Sequence, residues 1–206
     1  MDKVFGIDVS KYQGEIDFSK VKADGVNFVI IRAGYGKALK QKDPLFEKNY
    51  TNAKACGLNV GVYWFSYAQS EENAKAEAEV CLDVLKGKQF EYPVFFDLEE
   101  EQQLSKGKPF CGSLVNAFCN TVEEAGYFAG LYMSRSPLQT CIETEIASKY
   151  TLWVAEYNNK CNYDGHIGMW QYTNKGKVNG ISGNVDLDYA YVDYPEIIKA
   201  KKLNGF

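Results

Sequence analysis

The chain has 206 residues, 46% of them hydrophobic and 24% charged, which fits one globular domain with a sizeable core. A net charge of −4 without any basic block argues against a nucleic-acid partner, and no apolar stretch reaches membrane-spanning length. Six cysteines form no CxxC pair, and with the single histidine, His166, they make no zinc-ligand spacing; most histidine-dependent triads are excluded unless His166 itself serves.

The chain starts MDKVFGIDVS without a signal-peptide pattern. Apolar, β-rich runs then alternate with helical patterns. The runs are VFGIDV (4–9), NFVIIRAGYG (27–36), NVGVYWFSYA (59–68), YPVFFDLE (92–99), YFAGLYMS (127–134), YTLWVAEYN (150–158), IGMWQYT (167–173) and VDLDYAYV (185–192). Several are almost continuously apolar, as strands covered on both faces tend to be.

The first helix pattern, DFSKVKADG, stops at Gly25. The second, DPLFEKNYTNAKACG, opens on Asp-Pro and stops at Gly57. The third opens on Ser70, a candidate N-cap, and stops at Gly87; the fourth, CGSLVNAFCNTVEEAG, stops at Gly126. These follow the start and stop rules for helices. SPLQTCIETEIASK is a weaker helix, and beyond residue 150 the last three runs are joined by loops rich in Gly and Asn. Strand–helix alternation predicts parallel pairing by right-handed crossovers. The expectation is an α/β fold in a single domain spanning 1–206: an irregular TIM-like barrel of eight strands, with fewer helices in its C-terminal part.

In such barrels reactive residues collect at the C-terminal ends of the strands. Asp8, Tyr35, Tyr67, Asp97, Glu99, Glu156, Gln171, Asp186 and Asp188 all lie in or near the ends of runs. Asp97 and Glu99 stand two apart, so on a strand they share one face, where two carboxylates repel and each is costly to bury unpaired. An acidic strand end is also a common way to start a solvated loop, and Asp8 can equally cap a turn. Convergence of acids from the first, fourth and last strands favours a site, because the first and last strands of a closed barrel are neighbours. Tyr63 and Phe65 share a face and serve equally well as interior packing; Trp153 and Trp170 read first as core.

FGIDVSKYQGEIDFSKVKADGVNFVIIRAGYG, GVYWFSYA, PVFFDLEE, LWVAEYN, MWQYT and NVDLDYAY, in that order, resemble the serial motifs of glycoside hydrolase family 25, the Chalaropsis-type lysozymes or N-acetylmuramidases. The resemblance runs from about Val4 to about Val192. It implies a somewhat flattened α/β barrel, and hydrolysis of the β-1,4 bond between N-acetylmuramic acid and N-acetylglucosamine in peptidoglycan. It implies Glu99 as proton donor, Asp97 as its partner, and Asp8 and Asp186 as further acids of the catalytic hollow. Tyr35, Tyr63, Phe65, Trp153 and Gln171 fall in groove-lining motifs, and strand-end position adds Tyr67, Glu156 and Asp188 as substrate-binding candidates. The expected partner is the peptidoglycan glycan strand, met by a monomer without metal or cofactor, outside the cell or in the wall, or from within as a phage-type lysin.

Glycosidic cleavage needs a proton on the leaving oxygen and negative charge near an oxocarbenium-like centre. A carboxylic acid donates at neutral pH only if its pKa is raised, which neighbouring carboxylates achieve. Residues i and i+2 on a strand lie roughly 6.5–7 Å apart at Cα, a spacing that decides neither for a nucleophile nor for an inverting base at Asp97. A third route, attack by the substrate's own 2-acetamido oxygen with Asp97 orienting its N–H, suits the sugar and is the expectation. A glycan-binding module and another glycosidase with a D-x-E pair are the competing functions.

Overall fold

The computed structural model describes residues 3–206. Eight strands close into one barrel in sequential order: β1 (Val4–Val9), β2 (Phe28–Tyr35), β3 (Asn59–Phe65), β4 (Val94–Asp97), β5 (Ala129–Ser134), β6 (Thr151–Ala155), β7 (Met169–Gly176) and β8 (Val185–Ala190). The helices are α1 (Phe18–Ala23), α2 (Phe46–Ala55), α3 (Glu71–Leu85), α4 (Glu101–Leu104), α5 (Lys108–Glu124), α6 (Arg135–Cys141), α7 (Thr144–Lys149) and α8 (Tyr194–Ala200).

Local chemistry explains the boundaries. Ser70 Oγ accepts the Asn73 N–H at 3.2 Å and starts α3. Asp17 caps α1 in the same way, and Pro109 stands in the first turn of α5. The first seven residues of β2 are buried, since helices cover one face and the barrel interior covers the other.

Two apolar layers result. Ile7, Val29, Ile31, Val60, Val62 and Phe96 point outward into a layer shared with the helices. Phe28, Ile30, Phe95, Trp153 and Met169 point inward. The interior is tight enough to demand glycine: a Cβ at Gly6 would lie 2.3 Å from the Phe28 ring, and one at Gly130 would lie 2.6 Å from Phe95. Tyr194 and Ile198 of α8 join this inner layer at the end where β2 and β6 begin, and Thr151 Oγ1 lies 2.5 Å from Tyr194 Oη.

Two features differ from the sequence reading. All pairs from β1–β2 to β6–β7 are parallel, but β8 runs antiparallel to both β7 and β1. The β7–β8 connection spans only residues 177–184, shorter than the dozen or so residues that a parallel return needs. β4 ends at Asp97, so Glu99 follows the strand instead of belonging to it. The six cysteines are free thiols; Cys81, Cys111 and Cys119 are buried, and Cys56, Cys141 and Cys161 are half-buried. His166 lies exposed in a loop. No helix among the described residues is long and apolar enough to cross a membrane.

Candidate active site

The reversal of β8 decides which acids meet. Asp8 is the fifth residue of β1 and lies near its C-terminal end. Asp186 is the second residue of β8, yet the antiparallel register sets it directly opposite Asp8. A parallel β8 would carry Asp186 to the other end of the barrel. Asp97 ends β4, beside Phe65 of β3 and Tyr132 of β5. Leu98 keeps the backbone extended, its N–H donating to the Tyr132 carbonyl at 3.3 Å, so Glu99 reaches the same mouth beyond the strand.

These four acids lie where two lobes of a groove meet. The larger lobe, about 520 Å³, is lined by Arg32, Tyr35, Phe65, Tyr67 and the Ser10–Gln13 turn, along with Asp8, Tyr63, Asp97, Glu99 and Asp186. The smaller, about 210 Å³, shares those last five residues and adds Tyr132, Trp153, Tyr157 and Gln171. The turn is capped by its own residues: Ser10 N donates to Gln13 Oε1 at 2.8 Å, and Tyr12 N donates to Ser10 Oγ at 3.3 Å. Asp8 is therefore not needed as a cap. It accepts instead from Gln171 Nε2 at 2.7 Å, while Gln171 Oε1 accepts from the Tyr132 and Tyr157 hydroxyls at 3.0 and 3.1 Å.

Electrostatics separate the acids. Burial raises Asp8 well above the usual carboxylate range, with Asp188 and Asp186 adding repulsion and the Gln171 bond opposing. Burial also raises Asp97, as does Glu99, while Arg32 pulls it down. Asp97 Oδ1 is buried with no hydrogen-bond donor. Glu99 is the solvent-exposed member. Its enclosure by surrounding protein raises it first, then Glu100 and Asp186. Asp186 is pushed up to about 6 by burial. Carboxylates gathered at one mouth raise one another, so the group holds protons into the range where a free acid has lost them.

Arg32 supplies the opposing charge. Its Nε and Nη2 donate to Asp43 Oδ2 at 2.8 and 2.7 Å, and the same oxygen accepts the Lys11 N–H at 3.1 Å. Among the described residues no group of three or more His, Cys, Asp or Glu side chains is arranged to hold a metal ion.

Of the candidate residues, Asp8, Asp97, Glu99, Asp186, Tyr35, Tyr63, Phe65, Tyr67, Trp153 and Gln171 line the groove. Two do not. Glu156 is tied into the loop after β6, accepting from Asn162 N at 2.6 Å and Asn162 Nδ2 at 2.7 Å, with Arg135 Nε 3.0 Å away. Asp188 is fully buried and bonded to the indole N–H of Trp153. Trp153 itself is 1% exposed and packs edge-on against Tyr132, with ring centroids 4.5 Å apart. Sequence reasoning passed over Tyr132, Tyr157, Arg32 and the Lys11–Gln13 turn. A charge inside the apolar run VIIRAG was the available signal for Arg32, and period two from Gly130 was the signal for Tyr132.

The sequence matches the profile of Glycosyl hydrolases family 25 over residues 7–181. The chain belongs to that family. The match stops before β8, so Asp186 and Asp188 lie outside it. An autolytic lysozyme of Clostridium acetobutylicum is 31% identical over 184 residues, covering 89% of this chain and 54% of that protein. Lysozyme M1 of Streptomyces globisporus is 29% identical over 198 residues, covering 89% and 66%. The chain thus spans about half the length of the first of these relatives. The bacterial lysozyme from Streptomyces coelicolor superimposes with a TM-score of 0.80 at 27% identity, covering 93% of this chain and 94% of that one. The modular autolysin LytC from Streptococcus pneumoniae, solved in complex with a synthetic peptidoglycan ligand, gives 0.82 at 28% identity over 92% of this chain and 47% of that one. Family 25 membership makes this chain a glycoside hydrolase on an α/β barrel.

Proposed function

We propose that this family 25 chain is an N-acetylmuramidase, and that residues 1–206 act as one catalytic domain on peptidoglycan glycan strands as a monomer. The observation that carries the reading is the meeting of Asp8, Asp97, Glu99 and Asp186 at the junction of the two lobes, where a glycan laid along the groove would present a bond to be cut. The place of action is then the bacterial wall, reached from outside the cell or, as for a phage lysin, from within.

In this mechanism Glu99 protonates the leaving oxygen. Its upward shift keeps the acid form available, and its exposure leaves it able to reach a bound glycan. Asp97 is deeper and carries the donorless oxygen. An acetamide N–H from the substrate would satisfy that oxygen, turn the acetamide carbonyl toward the anomeric carbon, and make the substrate its own nucleophile. Asp186, pushed up to about 6, carries negative charge at neutral pH beside the developing oxocarbenium ion, and Asp8 lies directly opposite it. Tyr35, Tyr63, Phe65, Tyr67, Trp153 and Gln171 bound the sugar path, with rings to stack and a few polar groups to orient.

The test is mass spectrometry of soluble fragments released from purified peptidoglycan by the wild type and by Glu99→Gln. Fragments with N-acetylmuramic acid at the reducing end, made by the wild type and reduced by about 10²–10⁴-fold in the variant, support the reading. N-acetylglucosamine at the reducing end makes the enzyme a glucosaminidase, and binding without cleavage makes it a glycan-binding module.

A further inference from the structure

Gln171 borders the smaller lobe, yet it is 3% exposed and its amide is engaged at both ends. Nε2 donates to Asp8 Oδ2 at 2.7 Å. Oε1 accepts from Tyr132 Oη at 3.0 Å and from Tyr157 Oη at 3.1 Å, two donors for its two lone pairs. The partners come from well-separated strands. Tyr132 stands on β5 beside Asp97 of β4, Tyr157 follows β6, Gln171 is on β7 and Asp8 is on β1. β8 lies between β7 and β1, so the amide bridges a whole strand to reach Asp8.

We infer that Gln171 is a positioning residue, its amide locked by the Tyr132 and Tyr157 hydroxyls so that it fixes the Asp8 carboxyl relative to Asp97 and Glu99. A free amide can turn either end toward a carboxyl. Here both hydroxyls donate to Oε1, which leaves the NH₂ facing Asp8. An N–H aimed at Oδ2 orients the carboxyl whether or not Asp8 carries a proton on its other oxygen. The two tyrosines anchor the amide differently. Tyr132 is 8% exposed and packs edge-on against Trp153, which makes it the rigid end. Tyr157 is 53% exposed, and Glu156 delivers it to the groove. The Glu156 N–H donates to the Gln171 carbonyl at 3.1 Å, the Glu156 carbonyl accepts the Trp170 indole N–H at 2.8 Å, and the carboxylate holds Asn162 of the following loop. Glu156, which does not line the groove, thereby serves it through its neighbour.

The kinetic part of the test rests on the muramidase reading; the spectroscopic part does not. Tyr132→Phe and Tyr157→Phe each remove one hydroxyl and keep the ring. Gln171→Met keeps the length of the side chain and removes both ends of the amide. In peptidoglycan turnover, Gln171→Met is expected to lose about tenfold to a hundredfold in kcat, as a misplaced reacting group does, with KM changed less. The double variant Tyr132→Phe/Tyr157→Phe is expected to lose about threefold or more. Made in the Gln171→Met background, it should lose nothing further, because the hydroxyls act through the amide. In proton–nitrogen NMR, the side-chain NH₂ signal of Gln171 is identified by its absence from Gln171→Met. In the double tyrosine variant it is expected to exchange with solvent faster, by about tenfold or more. The inference is overturned if the double variant, folded with the wild-type melting temperature, keeps the wild-type kcat; the single variants answer the same question if the pair does not fold. It is also overturned if the loss recurs in full in the Gln171→Met background, or if the Gln171→Met loss lies in KM, which would make Gln171 a contact of the sugar. Should the wild type release no fragments, the muramidase reading falls, and an unchanged NH₂ exchange rate without the hydroxyls would still overturn the lock.

Discussion

Asp8 and Asp186 face one another directly across the antiparallel seam between β1 and β8. Carboxylates opposite each other on a sheet repel, and here the repulsion extends to Glu99, whose acid form Asp186 helps preserve. Asp186→Asn removes that charge. The pKa of Glu99 then falls, so the alkaline limb of the kcat–pH profile moves to lower pH, because a general acid is lost as pH rises through its pKa. Asp186 ionises at about 6, so variant and wild type should converge below that pH and differ most above it. An unmoved alkaline limb would show that Asp186 does not act on Glu99.

The proposed substrate participation predicts the stereochemical result. Two displacements at the anomeric carbon, the first by the acetamide oxygen and the second by water, return the original β configuration. Proton NMR of the products in the first minutes of reaction should show the β anomer before mutarotation. The α anomer would rule out the acetamide route and turn Asp97 into a base acting on water.

The wall of the larger lobe depends on a buried ion pair. Asp43 binds Arg32 twice and accepts the backbone N–H groups of Lys11 and Leu45. Both side chains are largely shielded, at 11% and 1% exposure. Asp43→Ala leaves a buried guanidinium without its partner, which costs about 3–5 kcal/mol. Urea unfolding should show a lower midpoint at unchanged slope. A loss below about 1 kcal/mol, the range of a surface pair, would mean that water already screens Arg32.

Glu77 of α3 lies beneath Tyr67. It is 1% exposed, accepts the Tyr67 N–H at 2.9 Å through Oε1, and has no partner for Oε2. Burial raises its pKa from 4.5 to about 7, against the opposing influence of Ser66, the Tyr67 N–H and Lys37. Between these values the unfolded chain releases a proton that the folded chain keeps, so stability falls as pH rises from 4.5 to 7 and levels off above. The linked loss is about 3 kcal/mol. Glu77→Gln retains the acceptor and has nothing to ionise, so its stability advantage over the wild type should grow across that window. Thermal melts at pH 4.5 and 8 check this; parallel changes in both proteins would contradict it.

All eight strands were legible as apolar, β-rich runs, several of them almost continuously apolar, as strands covered on both faces are. Asp97 and Glu99 were legible as a pair because charge is expensive after such a run. The direction of β8 was harder to read, since alternation says which face a residue takes and nothing about which way its strand runs. The short 177–184 connection carried that information. Helix α8 went unread as well, although Asp193 caps it and Pro195 stands in its first turn. Its apolar residues are few, and their partners, Tyr92 and Phe128, come from distant parts of the chain. Glu156 misled for a related reason: strand-end position is shared by residues that face the groove and residues that anchor the next loop.

The bond from Gln171 to Asp8 joins residues 163 apart in sequence, and Asp186 comes later still. A chain emerging from the ribosome therefore holds Asp8, Asp97 and Glu99 long before it can assemble them with Asp186. Only when β8 is made and turns back against β1 does the barrel close and the full set of charges exist. Synthesis thus withholds the four-acid cluster until β8 has been translated, and any partial product ending before Asp186 is released without it.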